Sequence, residues 1–183
     1  IKILSFDNYF YSSTSLEELV IPFQNNSDLI WLTSAYYHEN EKKIGQLNRL
    51  HIPKYTDEIV NGENKIGCIS CLTIKRLNVL KFNFELSWLL DCDYYIRLKN
   101  IYGLPFILEK PNVVYFIHNL GLNTTFDSKI DEHFILLNLL NIFNLKVSKY
   151  PYWILKNEFS SDSKKIYDDK LLQYNKNIPK TFI

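Results

Sequence analysis

Two short acidic groups carry most of the chemical interest in this sequence: Asp7-Asn8, and Asp91-Cys92-Asp93 preceded by Trp88-Leu89-Leu90. A carboxylate just past a strand can project into a crevice and share a divalent cation with a ligand phosphate, because hard cations prefer oxygen donors. A carboxylate at a helix start is equally at home as a cap or as a partner of the helix dipole. Each group therefore has a structural reading beside the chemical one. Asp91 and Asp93 lie two positions apart, about 200° around an ideal helix, so only one of them can face a given cleft. Asp93 is expected to pair with Arg97 one turn on, as a structural ion pair. Cys68-Ile69-Ser70-Cys71 invites a zinc or redox reading. In the strand that this run suggests, residues three apart point to opposite faces, and no second Cys-x-x-Cys supplies further ligands. Both cysteines are therefore expected to be small packing residues. His38, His51 and His133 share no metal-ligand spacing and are expected at the surface or in packing.

The elements that would position these groups alternate between strand and helix. Ile1 to Leu4 reads as a short buried strand ending at Ser5-Phe6-Asp7-Asn8. Thr14-Ser15-Leu16-Glu17 has the form of a capping box, with Leu16, Leu19, Val20 and Phe23 at helical spacing. Asp28 to Tyr37 reads as a strand, Tyr36 to Pro53 as a long polar connection, Thr56 to Asn61 as a short helix and Cys68 to Ile74 as a strand. A helix is predicted from Asp91 to Tyr102, with Tyr94, Leu98 and Ile101 on one face and Gly103 as its stop. Pro105 to Leu108 and Val113 to Ile117 read as two short strands. Ser128-Lys129-Ile130-Asp131, a second apparent capping box, opens a buried helix to about Asn144. From Lys146 onward the chain is rich in Lys, Tyr and Asn, so residues 1–145 are read as the main unit and 146–183 as a C-terminal extension. This is the α/β pattern, in which ligands gather at the carboxyl ends of strands.

Composition narrows the field. Hydrophobic residues make up 46% and charged residues 22%, which fits a globular fold. Only 5 glycines occur, and neither GxGxxG nor a P-loop is present, so the common dinucleotide and nucleoside-triphosphate motifs are missing. A net charge of +1 without a basic stripe argues against a nucleic-acid partner. Three cysteines make no disulfide framework and point to a reducing, cytoplasmic compartment. The chain starts at Ile1 in a strand-like run and has no Met, so a piece of a longer protein is expected.

In order and spacing, three runs are similar to one family: Asn64-Lys65-Ile66-Gly67-Cys68-Ile69-Ser70, Phe84 to Leu98, and Tyr102-Gly103-Leu104-Pro105. Together with Ile1 to Tyr11, they resemble the second half of family 2 glycosyltransferases with the GT-A fold. The resemblance covers roughly Ile1 to Leu145, and its most specific stretch is Trp88 to Leu98. It implies a partial GT-A (Rossmann-like) fold with a mixed sheet flanked by helices, whose N-terminal nucleotide-binding half is not in the chain. Asp91 takes the position of the catalytic base. Asp7, Asn8 and His118 take metal positions for Mg²⁺ or Mn²⁺, although the family commonly carries a second acid where Asn8 stands. Trp88, Ser70 and Gly67 fall on the acceptor side, with Asp93 and Arg97 as structural support. The implied partners are a nucleotide-sugar donor, a glycan or glycolipid acceptor and the rest of the same domain. Peripheral association with the cytoplasmic face of a membrane follows from such acceptors. The implied activity is inverting sugar transfer, with the chain alone expected to be inactive.

Two other readings remain open. A non-catalytic remnant of the same fold would serve as a carbohydrate-binding or scaffold module, as Asn8 suggests. A metal-dependent phosphoryl-transfer enzyme would use the same acids, but should bring a basic groove.

Overall fold

The computed structural model describes residues 1–117, 125–140, 151 and 162–176. It is an α/β structure built on one mixed five-stranded sheet. β2 (Trp31–Asn40) lies at its centre and pairs in parallel with β5 (Phe106–Ile117). β1 (Tyr9–Phe10) runs antiparallel on the far side of β5. The other edge of β2 is shared by β4 (Leu72–Ile74), against Trp31 to Thr33, and β3 (Leu47–His51), against Tyr36 to Glu39. The buried run Trp31 to Tyr36 explains why β2 takes the middle, since a strand covered on both faces has no polar alternation to keep.

Several expectations are revised. Ile1 to Leu4 makes only a bridge between Lys2 and Thr73. The supposed connection from Tyr36 to Pro53 is a hairpin: β2 runs on to Asn40 and β3 returns beside it. The two short strands after Gly103 are one, β5, whose pairing with β2 shifts register around Ala35, opposite Pro111. Proline is tolerated there because a bulge needs no ladder N–H. Cys68 to Ile74 divides into a 3-10 turn (Ile69–Cys71) followed by β4. The short helix near Thr56 is a 3-10 turn, Asp57–Asn61.

Helix α1 (Ser15–Asn25) forms where expected, but its capping box is not made. Thr14 gives its hydroxyl to Glu18 at 2.7 Å, and Glu18 reaches Lys110 and Asn112 of β5, each at 2.8 Å. Helix α2 (Leu90–Tyr102) ends at Gly103, whose φ of 82° is a glycine conformation. Tyr94 and Leu98 are buried, whereas Ile101 is exposed. Helix α3 (Phe126–Leu139) starts earlier than expected and is capped by Thr125, which accepts the Ser128 N–H at 3.2 Å. Helix α4 (Ser163–Lys176) lies in the C-terminal extension and packs Tyr167 and Leu171 against Ile130, Phe134 and Leu137 of α3. A larger core joins Trp31, Leu72 and Ile74 of the sheet to Tyr95, Ile96 and Leu98 of α2. Among the described residues, no helix is long and apolar enough to cross a membrane.

Candidate active site around Asp91

Asp91 is the second residue of α2, and its place depends on how that helix begins. The N–H groups of Ser87, Trp88 and Leu89 all donate to Glu132 Oε2, at 3.0, 2.7 and 3.0 Å. Successive backbone N–H groups form an anion-binding concavity, and here the anion is a buried carboxylate from α3. The N-cap position is Leu89, not Asp91. The Asp91 carboxylate is thereby released from capping and accepts the Ile69 N–H at 3.1 Å instead. Burial raises its pKa from 3.8 to about 6, against the smaller lowering effect of that hydrogen bond. The group is still mostly ionised at neutral pH and can take up a proton.

Asp7 sits in the turn closed by the Asn8 N–H on the Ser5 carbonyl, at 3.1 Å. The Tyr115 phenol on β5 is held above its usual value by burial first, then by the negative charge of Cys68, Asp7 and Asp91. Asp7 and Asp91 thus bear on one phenol, although 84 positions separate them in the chain. Asp93 turns the other way, as its helical position requires. It is buried and accepts Arg97 Nε and Nη2 at 2.9 and 2.6 Å.

Asn8 turns its amide inward. Nδ2 donates to Ser70 Oγ at 2.8 Å and Oδ1 accepts the Phe116 N–H at 3.1 Å. Ser70 is fully buried, and its hydroxyl oxygen also accepts the Ser5 N–H at 2.9 Å. These bonds lock three segments together and engage both ends of the Asn8 amide. Gly67 is buried at φ 112°, where a Cβ would come within 2.5 Å of Tyr36 Cε1. Trp88 lies half-buried between the two apolar clusters, with Lys129 Nζ 4.9 Å from its ring centroid. His118 lies outside the described residues.

The geometry overturns one expectation outright. Cys68 and Cys71 do not point to opposite faces. Side chains three apart eclipse one another in a 3-10 turn, and the two Sγ atoms lie 3.7 Å apart. His38 and His51 also come together, with ring centroids 6.4 Å apart across the β2–β3 hairpin.

Sequence reasoning missed Glu132, Tyr115 and Lys2, whose ammonium bonds the Ser70 carbonyl. Only Lys2 carried a signal, as a charged residue inside the apolar run Ile1 to Leu4. Of the residues assigned to a cation, Asp7 supplies a carboxylate while the Asn8 amide is committed elsewhere. Among the described residues, no three His, Cys, Asp or Glu side chains assemble as a metal site. These residues therefore do not by themselves fit a divalent ion. No family model and no curated protein matches the chain.

Proposed function

We propose that the chain is the acceptor-side part of a GT-A-type glycosyltransferase domain, in which Asp91 is the general base. The observation that carries this reading is the half-buried Asp91 carboxylate, with its pKa near 6, at the entrance of α2 and held by the Ile69 N–H. A base is most effective when its pKa lies near the working pH. In the reaction, an acceptor hydroxyl attacks the anomeric carbon of the donor sugar. Its proton passes to Asp91 as the carbon–oxygen bond to the nucleoside diphosphate breaks, with inversion. Asp93, tied to Arg97, stiffens the helix that holds Asp91. The proton step runs through Asp91 alone.

The test is transfer or donor hydrolysis by the protein that carries this chain, across a panel of nucleotide sugars, with and without Mn²⁺. Asp91→Asn should lower turnover by about 10²- to 10⁴-fold and leave acceptor binding intact. Near-normal turnover in that variant removes Asp91 from the mechanism. A second reading, a carbohydrate-binding remnant, is favoured by the inward-turned Asn8 amide. It predicts glycan binding with no turnover on any donor.

A further inference from the structure

Cys68 and Cys71 form a pair of nucleophilic side chains that the proton chemistry leaves unused. Their turn is closed by the Cys71 N–H on the Cys68 carbonyl at 3.0 Å. A turn of this kind keeps its end Cα atoms within about 7 Å, close to the range of about 4.4–6.8 Å that disulfides span. Bringing the sulfurs from 3.7 Å to the bonded distance of about 2.05 Å is then a matter of side-chain rotation.

The two sulfurs have different surroundings. Cys68 is half-buried and Cys71 is buried. The Cys71 thiol lies against Cys68 Sγ, and Asn8 Nδ2 approaches the same sulfur at 3.9 Å. Cys68 is thus the sulfur that a small reagent reaches first, with Cys71 placed behind it and Cys92 buried elsewhere on α2. We infer that Cys68 and Cys71 are a reversible dithiol–disulfide site, with Cys68 the attacking and Cys71 the resolving thiol.

The chemistry balances with a low-molecular-weight disulfide as oxidant. The Cys68 thiolate attacks one sulfur of that disulfide, forming a mixed disulfide and releasing one thiolate. The Cys71 thiolate then attacks the Cys68 sulfur and releases the second thiolate. Two electrons pass from the protein to the small disulfide, and the two protein thiol protons end on the released thiols. In a reducing compartment such a pair cycles and is not a structural bond.

The turn is also an anchor of the neighbouring site. The Ile69 N–H holds Asp91, the Cys68 carbonyl accepts the Tyr95 hydroxyl at 2.9 Å, and Ser70 accepts Asn8. Oxidation should therefore alter turnover, a consequence that rests on the role of Asp91 proposed above. The dithiol chemistry itself does not.

The experiment equilibrates the full chain with reduced and oxidised glutathione at graded ratios, quenches with acid, alkylates and maps the peptides. The expected result is a Cys68–Cys71 cross-link that appears and disappears reversibly, with Cys92 still free. In the native protein, iodoacetamide should label Cys68 at least about tenfold faster than Cys92. Cys71→Ser should instead accumulate one glutathione on Cys68. If that variant does not fold, the wild-type peptide map decides alone. Three reduced thiols at every ratio, or glutathione resting on Cys68 in the wild type without a cross-link, overturns the inference. A cross-link with unchanged turnover overturns only the coupling to Asp91. A cross-link in a protein without turnover in either redox state leaves the dithiol standing and counts against sugar transfer.

Discussion

Burial holds the Asp91 carboxyl at about 6, where a free aspartate sits at 3.8. A raised carboxyl favours the folded state when it is protonated. Its stabilising contribution is complete below pH 3.8 and is lost as pH rises through about 6. Asp91→Asn keeps an oxygen for the Ile69 N–H and removes the charge. The variant should melt above its parent at about pH 7.5, with the gap closing toward pH 3.8, as thermal melts across pH would record. Equal melting at the higher pH would show that the carboxylate is well solvated and undercut its role as a tuned base. Gly67 makes a different residue-scale claim. Its φ of 112° and the Tyr36 ring both exclude a side chain, so Gly67→Ala should cost about 2–4 kcal/mol in urea unfolding. Truncating Tyr36 in the same chain should recover the steric part alone. Asn64, which bonds the N–H groups of Ile66 and Gly67 at 3.0 Å each, was the local sign of this turn.

At the scale of elements, α2 was legible and its beginning was not. Its extent follows from a periodic run closed by glycine, and the Asp93–Arg97 pair follows from helical spacing. The anion that receives the chain entering α2 is Glu132, more than 40 positions away. Glu132→Ala would leave three inward N–H groups without their acceptor and should cost about 2–4 kcal/mol by chemical denaturation. Glu132→Gln, which retains an oxygen, should cost less, and amide exchange should quicken first at Ser87 to Leu89. If the two variants are equally mild, Glu132 is not what starts the helix. The strand β3 was misread because three of its five residues are polar and its two leucines are exposed. An edge strand is often of that kind, since charge along an edge discourages pairing with other chains. β5 runs unbroken through Pro111, between the two short strands that the sequence suggested, because a bulge there needs no ladder N–H.

Across the whole molecule, two buried titrating groups oppose each other. His133 packs under α4, with the Tyr167 hydroxyl 3.2 Å from Nδ1, and burial lowers its pKa from 6.5 to about 4. A lowered histidine gives its full contribution above pH 6.5 and loses it as pH falls through about 4. Asp91 has the reverse slope over nearly the same window, so the parent protein should be nearly flat between pH 4 and 6 as far as these two groups decide. Asp91→Asn should uncover a steep acid loss, and His133→Asn should gain stability toward acid. Parallel melting curves for parent and both variants would show that neither group is desolvated. The helix at 163–176 is part of the same packing unit through this contact, which composition alone did not suggest.

The sequence determined what depends on near neighbours. It contains the span of α2 and its glycine stop, the Asp93–Arg97 pair and the α/β alternation, because each follows from backbone sterics or a spacing of a few residues. Tertiary structure decided the rest. Which carboxylate is desolvated, which one receives a helix start, and whether two cysteines meet or part all depend on segments far apart in the chain arriving at one place. A pKa or a buried hydrogen bond has no value until that happens, since it measures the water that folding has removed.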